Sequence, residues 1–352
     1  MEKKCKNNNG ENNLDLWKKV DCVLFRNFHD NWKDPNINKY LGTNASEKFE
    51  GYLIIYKNKN PLFISHPFNY KQAKKELKNT KVVTFNERKD FEKIIKKETG
   101  KRIGINETFI SYASVKALKK ILKGKKLIYA GKEIEEAKEQ KNKDEIKLIK
   151  KAVTETKKAI ELVKTNLRKG VTEKQLKEKV KELFSKNGCE TAFCIIAFGN
   201  NTSHIHHDSK NTKLEENMPI LIDVGAKYEG YCADLSDTFW FGEKSGKRFA
   251  EFEKERKKVE AAQKEIEKVL KEGTLAKELY ITATKYIGKL PHAIGHGIGL
   301  EVHDAPAGIG EKSKWKLKEG MILAIEPAIY KKTFGIRLEK DYKITKKGFE
   351  EL

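Results

Sequence analysis

Four carboxylates and one imidazole in the last 150 residues of this chain have the types and spacing to hold metal. Asp223 lies in ILIDVGAKYEG, Asp234 in YCADLSDTF, His296 in AIGHGIG, Glu326 in AIEPAIY and Glu339 in GIRLEK. Two divalent ions about 3.5–4 Å apart fit such a set, and a water shared between them is acidic enough to be hydroxide at neutral pH. That is the chemistry of a hydrolase. Oxygen-rich ligation with one imidazole favours Mn, Co, Fe or Zn at a working site over a structural zinc, which would draw on cysteine. A lone aspartate near a turn is usually a turn former or an ion-pair partner. The five together reverse that reading.

For the five to meet, the chain must fold back twice. If the segment after Asp223 turns around Tyr228 and Glu229, Asp234 becomes its opposite partner on the next antiparallel strand, with Cβ atoms about 5 Å apart. Two like charges that close are costly without a cation between them. Gly225 and Gly230 ease the bend. Glu326 and Glu339 repeat the arrangement around Lys332 and Thr333, with Gly335 easing the loop. His296 comes from a glycine-rich corner, where Gly295 and Gly297 allow the backbone close to the metals. Of the other histidines, His206 in NNTSHIHHD and His303 in GLEVHDAP are placed at the rim, as donors to the oxyanion that forms on hydrolysis. His204 and His207 read as polar loop or supporting residues. His292, four before His296, is read as structural or supporting, because the glycines around His296 argue against a helical metal pair.

The elements divide the chain into two domains, 1–132 and 133–352. In the first, VDCVLF, GYLIIY, PLFIS, KVVTF, KRIGI and KLIYA read as strands. FNYKQAKKELKN, RKDFEKIIKKETG and ISYASVKALKKILKG between them read as helices. This is an α/β domain with a buried sheet. It holds two histidines, His29 and His66, and no catalytic cluster, so it reads as a scaffold or a cap over the substrate. The polar residues 1–15 read as frayed. The second domain is α+β. A helix is expected over 133–166 and ends by Gly170; another starts at Thr172, where a capping box with Gln175 is expected. Two more follow, near 247–271 and over LAKELYITATKYIGKL, and strands dominate the rest. No internal period marks a repeat solenoid.

Length, at 352 residues, suits two domains. No run of about 18 apolar residues exists, so no transmembrane helix is expected. MEKKCKNNNGENNLD has no apolar stretch, so the expected location is the cytoplasm. Cys5, Cys22, Cys189, Cys194 and Cys232 form no CxxC and are odd in number, which argues against a disulfide scaffold. The net charge is +22. Its lysines are spread along the helices and mixed with glutamate, without an arginine-rich arm or a zinc finger, so nucleic acid is not the expected partner.

These motifs together resemble the pita-bread metallopeptidases, the group of methionine aminopeptidase, aminopeptidase P, Xaa-Pro dipeptidase (prolidase) and creatinase. The resemblance runs from about residue 16 to the end, and is strongest at IDVGA…YCADLSDTF, AIGHGIGLEVHDAP, GMILAIEP and GIRLE. It implies a creatinase-like N-terminal domain, a pseudo-twofold catalytic domain, and a homodimer. It implies the ligands Asp223, Asp234, His296, Glu326 and Glu339 and the catalytic histidines His206 and His303; Glu326 is taken in addition as the catalytic proton carrier. The activity implied is two-metal hydrolysis of the Xaa-Pro bond in short peptides with proline second. A prolidase is the first reading and an aminopeptidase P acting on longer peptides is the alternative. A catalytically silent binding protein is the reading from another class. Ile205, Asp237, Ala324, Ala328, Asp304 and Ala307 depart from the usual pattern. Asp237 is expected to add charge to an already acidic centre, and Ala307 to leave the substrate carboxylate without a cation.

Overall fold

The computed structural model of the chain describes residues 14–28, 33–42 and 44–352. Contacts group the chain into two compact units, Met1–Ala137 and Lys138–Leu352.

In the first unit all six expected strands form: β1 Cys22–Asn27, β2 Gly51–Ile55, β3 Leu62–Ser65, β4 Lys81–Thr84, β5 Arg102–Ile105 and β6 Lys126–Tyr129. They join one mixed sheet in the order β4-β3-β2-β1-β5-β6. Their apolar runs are nearly continuous because both faces are covered. Val23, Phe25, Leu53 and Phe63 pack on one side, and Leu24, Ile54, Ile64 and Ile103 on the other. Helices Tyr70–Glu76, Arg88–Glu98 and Tyr112–Ile121 lie where expected. The polar start needs a correction. Residues 1–13 lie outside the described residues, as do Cys5 and His29, but Leu14–Lys19 is a helix that buries Leu16.

The single helix expected over 133–166 is two, Gly131–Glu136 and Lys143–Thr165. The break has a local cause. The Asn142 side chain accepts from the Asp144 and Glu145 amides, and Glu145 reaches back to the Asn142 amide, so a new helix is capped there. The Thr172–Gln175 box forms as expected and starts helix Glu173–Lys186. Strands β7 Glu190–Phe198, β8 Met218–Tyr228, β9 Tyr231–Cys232 and β10 Leu235–Phe241 follow, in the order β10-β8-β7 with β9 paired to β8.

The same sequence of parts then recurs. Helices Gly246–Val269 and Ala276–Ile287 precede β11 Gly295–Gly297, β12 Ile322–Ile325, β13 Ala328–Tyr330, β14 Gly335–Arg337, β15 Lys340–Ile344 and β16 Phe349–Glu351. One sheet runs β11-β12-β15-β16, and β13 pairs with β14. Matching backbone bonds mark the duplication. Gly170 donates to Leu214 O and Gly273 to Leu317 O, each at 2.8 Å. Asn217 and Gly320, both with positive φ, precede β8 and β12. MPILID in one half answers MILAIE in the other, so Asp223 and Glu326 occupy equivalent places. No helix among the described residues is long and apolar enough to cross a membrane.

Candidate metal centre

Two hairpins and one strand carry the five side chains. The first hairpin turns at Glu229 and Gly230, both with positive φ, as a two-residue turn requires. Its register corrects one expectation. Asp223 faces Ser236, and Asp234 lies two residues before Ser236. The two aspartates are therefore diagonal neighbours and not direct opposites. They keep the same face because the offset is two, the period of a strand. The second hairpin behaves as expected. Ala328 pairs with Arg337 and Leu338 donates to Pro327 O at 3.3 Å, a register that sets Glu326 across from Glu339.

A seam joins the hairpins. Ser236 and Glu339 exchange backbone bonds, and the Thr238 hydroxyl bridges the Arg337 amide and carbonyl at 3.0 and 2.9 Å. One step further the ladder is completed by a side chain, because the Asp234 amide donates to Asp341 Oδ2 at 3.1 Å. His296 sits on β11, paired with Ala324 of β12, and Glu326 N donates to Ile294 O at 2.8 Å. The glycines beside it allow close packing of backbone on backbone. A Cβ on Gly295 would lie 2.3 Å from Ala324 O, and one on Gly297 would lie 2.4 Å from the Ala305 carbonyl carbon. They admit neighbouring backbone.

Ligand atoms of Asp234, His296 and Glu339 come within 4.8 Å of one another. His296 Nε2 is 3.6 Å from Asp234 Oδ2 and 3.9 Å from Glu326 Oε1. Its Nδ1 is 3.0 Å from Gly297 O, a bond that places the proton there and leaves the Nε2 lone pair facing the acids. Asp223 Oδ2 pairs with Arg337, whose guanidinium also donates to the Tyr330 hydroxyl at 2.7 Å. Asp223 Oδ1 and Asp234 Oδ1 are buried without a hydrogen-bond donor among the described residues. Unpaired buried carboxylate oxygens are expensive unless a cation reaches them.

The electrostatics give the same account. Burial, then repulsion from the neighbouring acids, holds Asp234 and Glu339 well above the usual carboxylate range. Burial pushes Glu326 up to about 7, and raises Asp223 against the opposing pull of Arg337. Burial pulls His296 down to about 4, so its imidazole is neutral and able to ligate. A site that sets one arginine among four carboxylates, three of them buried, fits a pair of divalent cations.

His303 and His206 are exposed at the rim. The His303 ring stands edge-on to His296 at 4.3 Å, and burial and His206 lower its pKa while Asp223 opposes them. His207 points elsewhere, with Nε2 2.8 Å from Glu173 Oε2. Glu173 is fully buried and also accepts from the Phe198 and Lys210 amides and the Asn201 side chain, which pins the loop carrying His206. His292 bonds to Ala293 O at 2.6 Å and lies 3.8 Å from Glu326.

Asp237 does not join the acidic centre. It is on the other face of β10, 2.7 Å from Lys164 and 3.8 Å from Arg256. The additional acid is Asp341, fully buried and pushed up to about 8 by burial. Asp341 and Arg337 were not anticipated. Alternation was the available signal, since Arg337, Glu339 and Asp341 share one parity.

With this geometry in hand, comparison with known proteins defines the class. The description "Metallopeptidase family M24" matches residues 147–346, and "Creatinase/Prolidase N-terminal domain" matches 33–140. The chain belongs to metallopeptidase family M24; it has a creatinase-type N-terminal domain followed in sequence by the pita-bread catalytic fold, and its cofactor is a pair of divalent metal ions. Among its relatives is the Xaa-Pro dipeptidase of Pyrococcus horikoshii, 32% identical over 95% of this chain and 92% of that one. The solved prolidase from Pyrococcus furiosus aligns at a TM-score of 0.82 with 29% identity, over 95% of this chain and 96% of that one. The X-Pro aminopeptidase from Thermotoga maritima aligns at 0.84 with 28% identity, over 94% and 95%.

Proposed function

We propose that the chain is an Xaa-Pro dipeptidase, and that Asp223, Asp234, His296, Glu326 and Glu339 hold its two metals. The observation that carries this is the convergence of Asp234, His296 and Glu339 within 4.8 Å, in a chain 32% identical along almost its whole length to an Xaa-Pro dipeptidase. When bound, the metals polarise the scissile carbonyl and acidify a water. Glu326 is the proton carrier. Its side chain is 16% exposed against 7% for Asp234, so it can reach a substrate that Asp234 cannot. It takes a proton as the water oxygen bonds to the carbonyl carbon, and returns it to the proline nitrogen as the C–N bond breaks. His303 and His206 stand where hydrogen bonds to the developing oxyanion or to the proline carboxylate are available. The substrates are short peptides with proline second. The same reading takes the enzyme to be a cytoplasmic homodimer that does not bind nucleic acid.

Two observations favour a second reading, an aminopeptidase acting on longer peptides. Ala307 is exposed and offers no cation for a dipeptide carboxylate, and the Thermotoga maritima structure is as similar in shape as the prolidase. Turnover of Ala-Pro and Ala-Pro-Ala by the Mn²⁺- or Co²⁺-loaded chain separates the two. Higher kcat/KM on the dipeptide is expected; a strong preference for the tripeptide would move the assignment to the aminopeptidase.

A further inference from the structure

The loop that carries His303 is anchored by charges that take no part in the ligand set. Asp304 follows His303 directly and its side chain is 1% exposed. Its Oδ1 is 2.8 Å from Lys138 Nζ, and its Oδ2 is 3.9 Å from Lys141 Nζ. Both lysines are as deeply buried as the aspartate. Asp304 also accepts from the Leu300 and Ala305 amides at 3.0 and 2.8 Å, and Lys141 Nζ donates to Ala305 O at 2.7 Å. The pocket has no spare room, since a Cβ on Gly299 would fall 2.2 Å from Asp304 Oδ2 and 2.9 Å from Lys141 Cε. The Lys141 amide donates to Gly320 O at 2.9 Å, just ahead of the strand that leads to Glu326. One short segment therefore holds both the His303 loop and the root of the Glu326 strand.

Two buried ammonium groups around one buried carboxylate, with the part-exposed Glu301 also 4.0 Å from Lys138, are a poor way to stabilise a fold, because desolvation offsets most of the attraction. They are a good way to fix a loop. The His303 ring forms no hydrogen bond to another described residue, so its position depends on the backbone beneath it. We infer that Lys138, Asp304 and Lys141 form a positioning lock that sets His303 beside the ligand His296. The inference rests on the role proposed for His303 in hydrolysis.

The test uses Lys141→Met in the metal-loaded full chain, which leaves the Lys138–Asp304 pair neutral. Asp304→Asn is the second variant. Each should lower kcat on an Xaa-Pro dipeptide by roughly 10–100-fold, the scale of a catalytic group misplaced by about 1 Å. Metal content should stay at the wild-type level. In a His303→Ala background the same changes should have little further effect, because the lock acts through His303. An equal loss in both backgrounds, or no loss in either, overturns the inference. So does failure of both variants to fold, which would make the cluster a stability element. The His303 imidazole resonance, in histidine-labelled protein, is a readout independent of turnover. It should shift or broaden in Lys141→Met. If wild type is inert on every Xaa-Pro peptide, the functional reading fails, and this resonance alone decides the lock.

Discussion

Glu339 and His303 both lie beside His296 but differ in role. Glu339 is buried with its oxygens among Asp234 and His296, whereas His303 stands outside that group against the edge of His296. Glu339→Gln should therefore release at least one metal ion per chain and abolish turnover. His303→Ala should keep both ions and lose about 10²–10³-fold in kcat, as for removal of one oxyanion donor. Metal analysis beside kinetics checks both, and a His303→Ala protein without metal would contradict the assignment. A pH effect belongs at this scale too. Glu326 has a folded pKa of about 7, above its ordinary 4.5, and Asp341 is at about 8. The metal-free fold thus binds more protons than the unfolded chain, so these groups stabilise it fully only below their ordinary pKa values. That contribution is lost as pH rises through about 7 to 8. Metals compete for the same oxygens. Thermal melts of stripped and reloaded protein should separate progressively from about pH 4.5 to 8, the reloaded form melting higher. A gap that stays constant or narrows would contradict this.

Strand pairing decides which of these residues meet, and only part of it was legible in the sequence. The turn at Lys332–Thr333 and the facing of Glu326 and Glu339 followed from spacing alone. The first hairpin did not, because a two-residue turn at Glu229–Gly230 moves the partner of Asp223 two residues along, from Asp234 to Ser236, relative to a turn centred on Tyr228–Glu229. The face survived and the partner did not. The seam through Ser236, Thr238 and Asp341 is a contact between segments about a hundred residues apart, which local pattern does not reveal. The internal duplication leaves only the single echo of MPILID in MILAIE, which is not a period and so gives no repeat signal. Glycines were read for flexibility, and the structure uses Gly225 and Gly335 for close approach. A Cβ on Gly335 would lie 2.1 Å from Thr202 O, whereas one on Gly310 meets nothing within 4 Å. Gly335→Ala should destabilise by about 1–3 kcal/mol and weaken metal binding, since the hairpin of Glu326 and Glu339 must shift. Gly310→Ala should stay within about 0.5 kcal/mol of wild type. Equal melting curves for the two variants would show that the hairpin is not packed as described.

For the molecule as a whole, the charge of +22 bears on association. Much of the lysine is engaged locally, as where Lys151 and Lys158 flank Glu155 on one helix at 2.6 and 3.0 Å. The net charge nonetheless opposes self-association. Light scattering at 0.15 M salt should nevertheless give twice the chain's 40.5 kDa; a mass of one chain in active enzyme would remove the homodimer. The central claim is that five converging side chains hold two metals that cleave the Xaa-Pro bond. Its most direct measurement is proline released from an Xaa-Pro dipeptide by chain stripped with chelator and then titrated with Mn²⁺ or Co²⁺. Proline release is expected to be absent in the stripped chain and to rise to a plateau at two ions per chain. Metal-independent release, or none in a fully loaded chain under conditions where a known prolidase works, would contradict it.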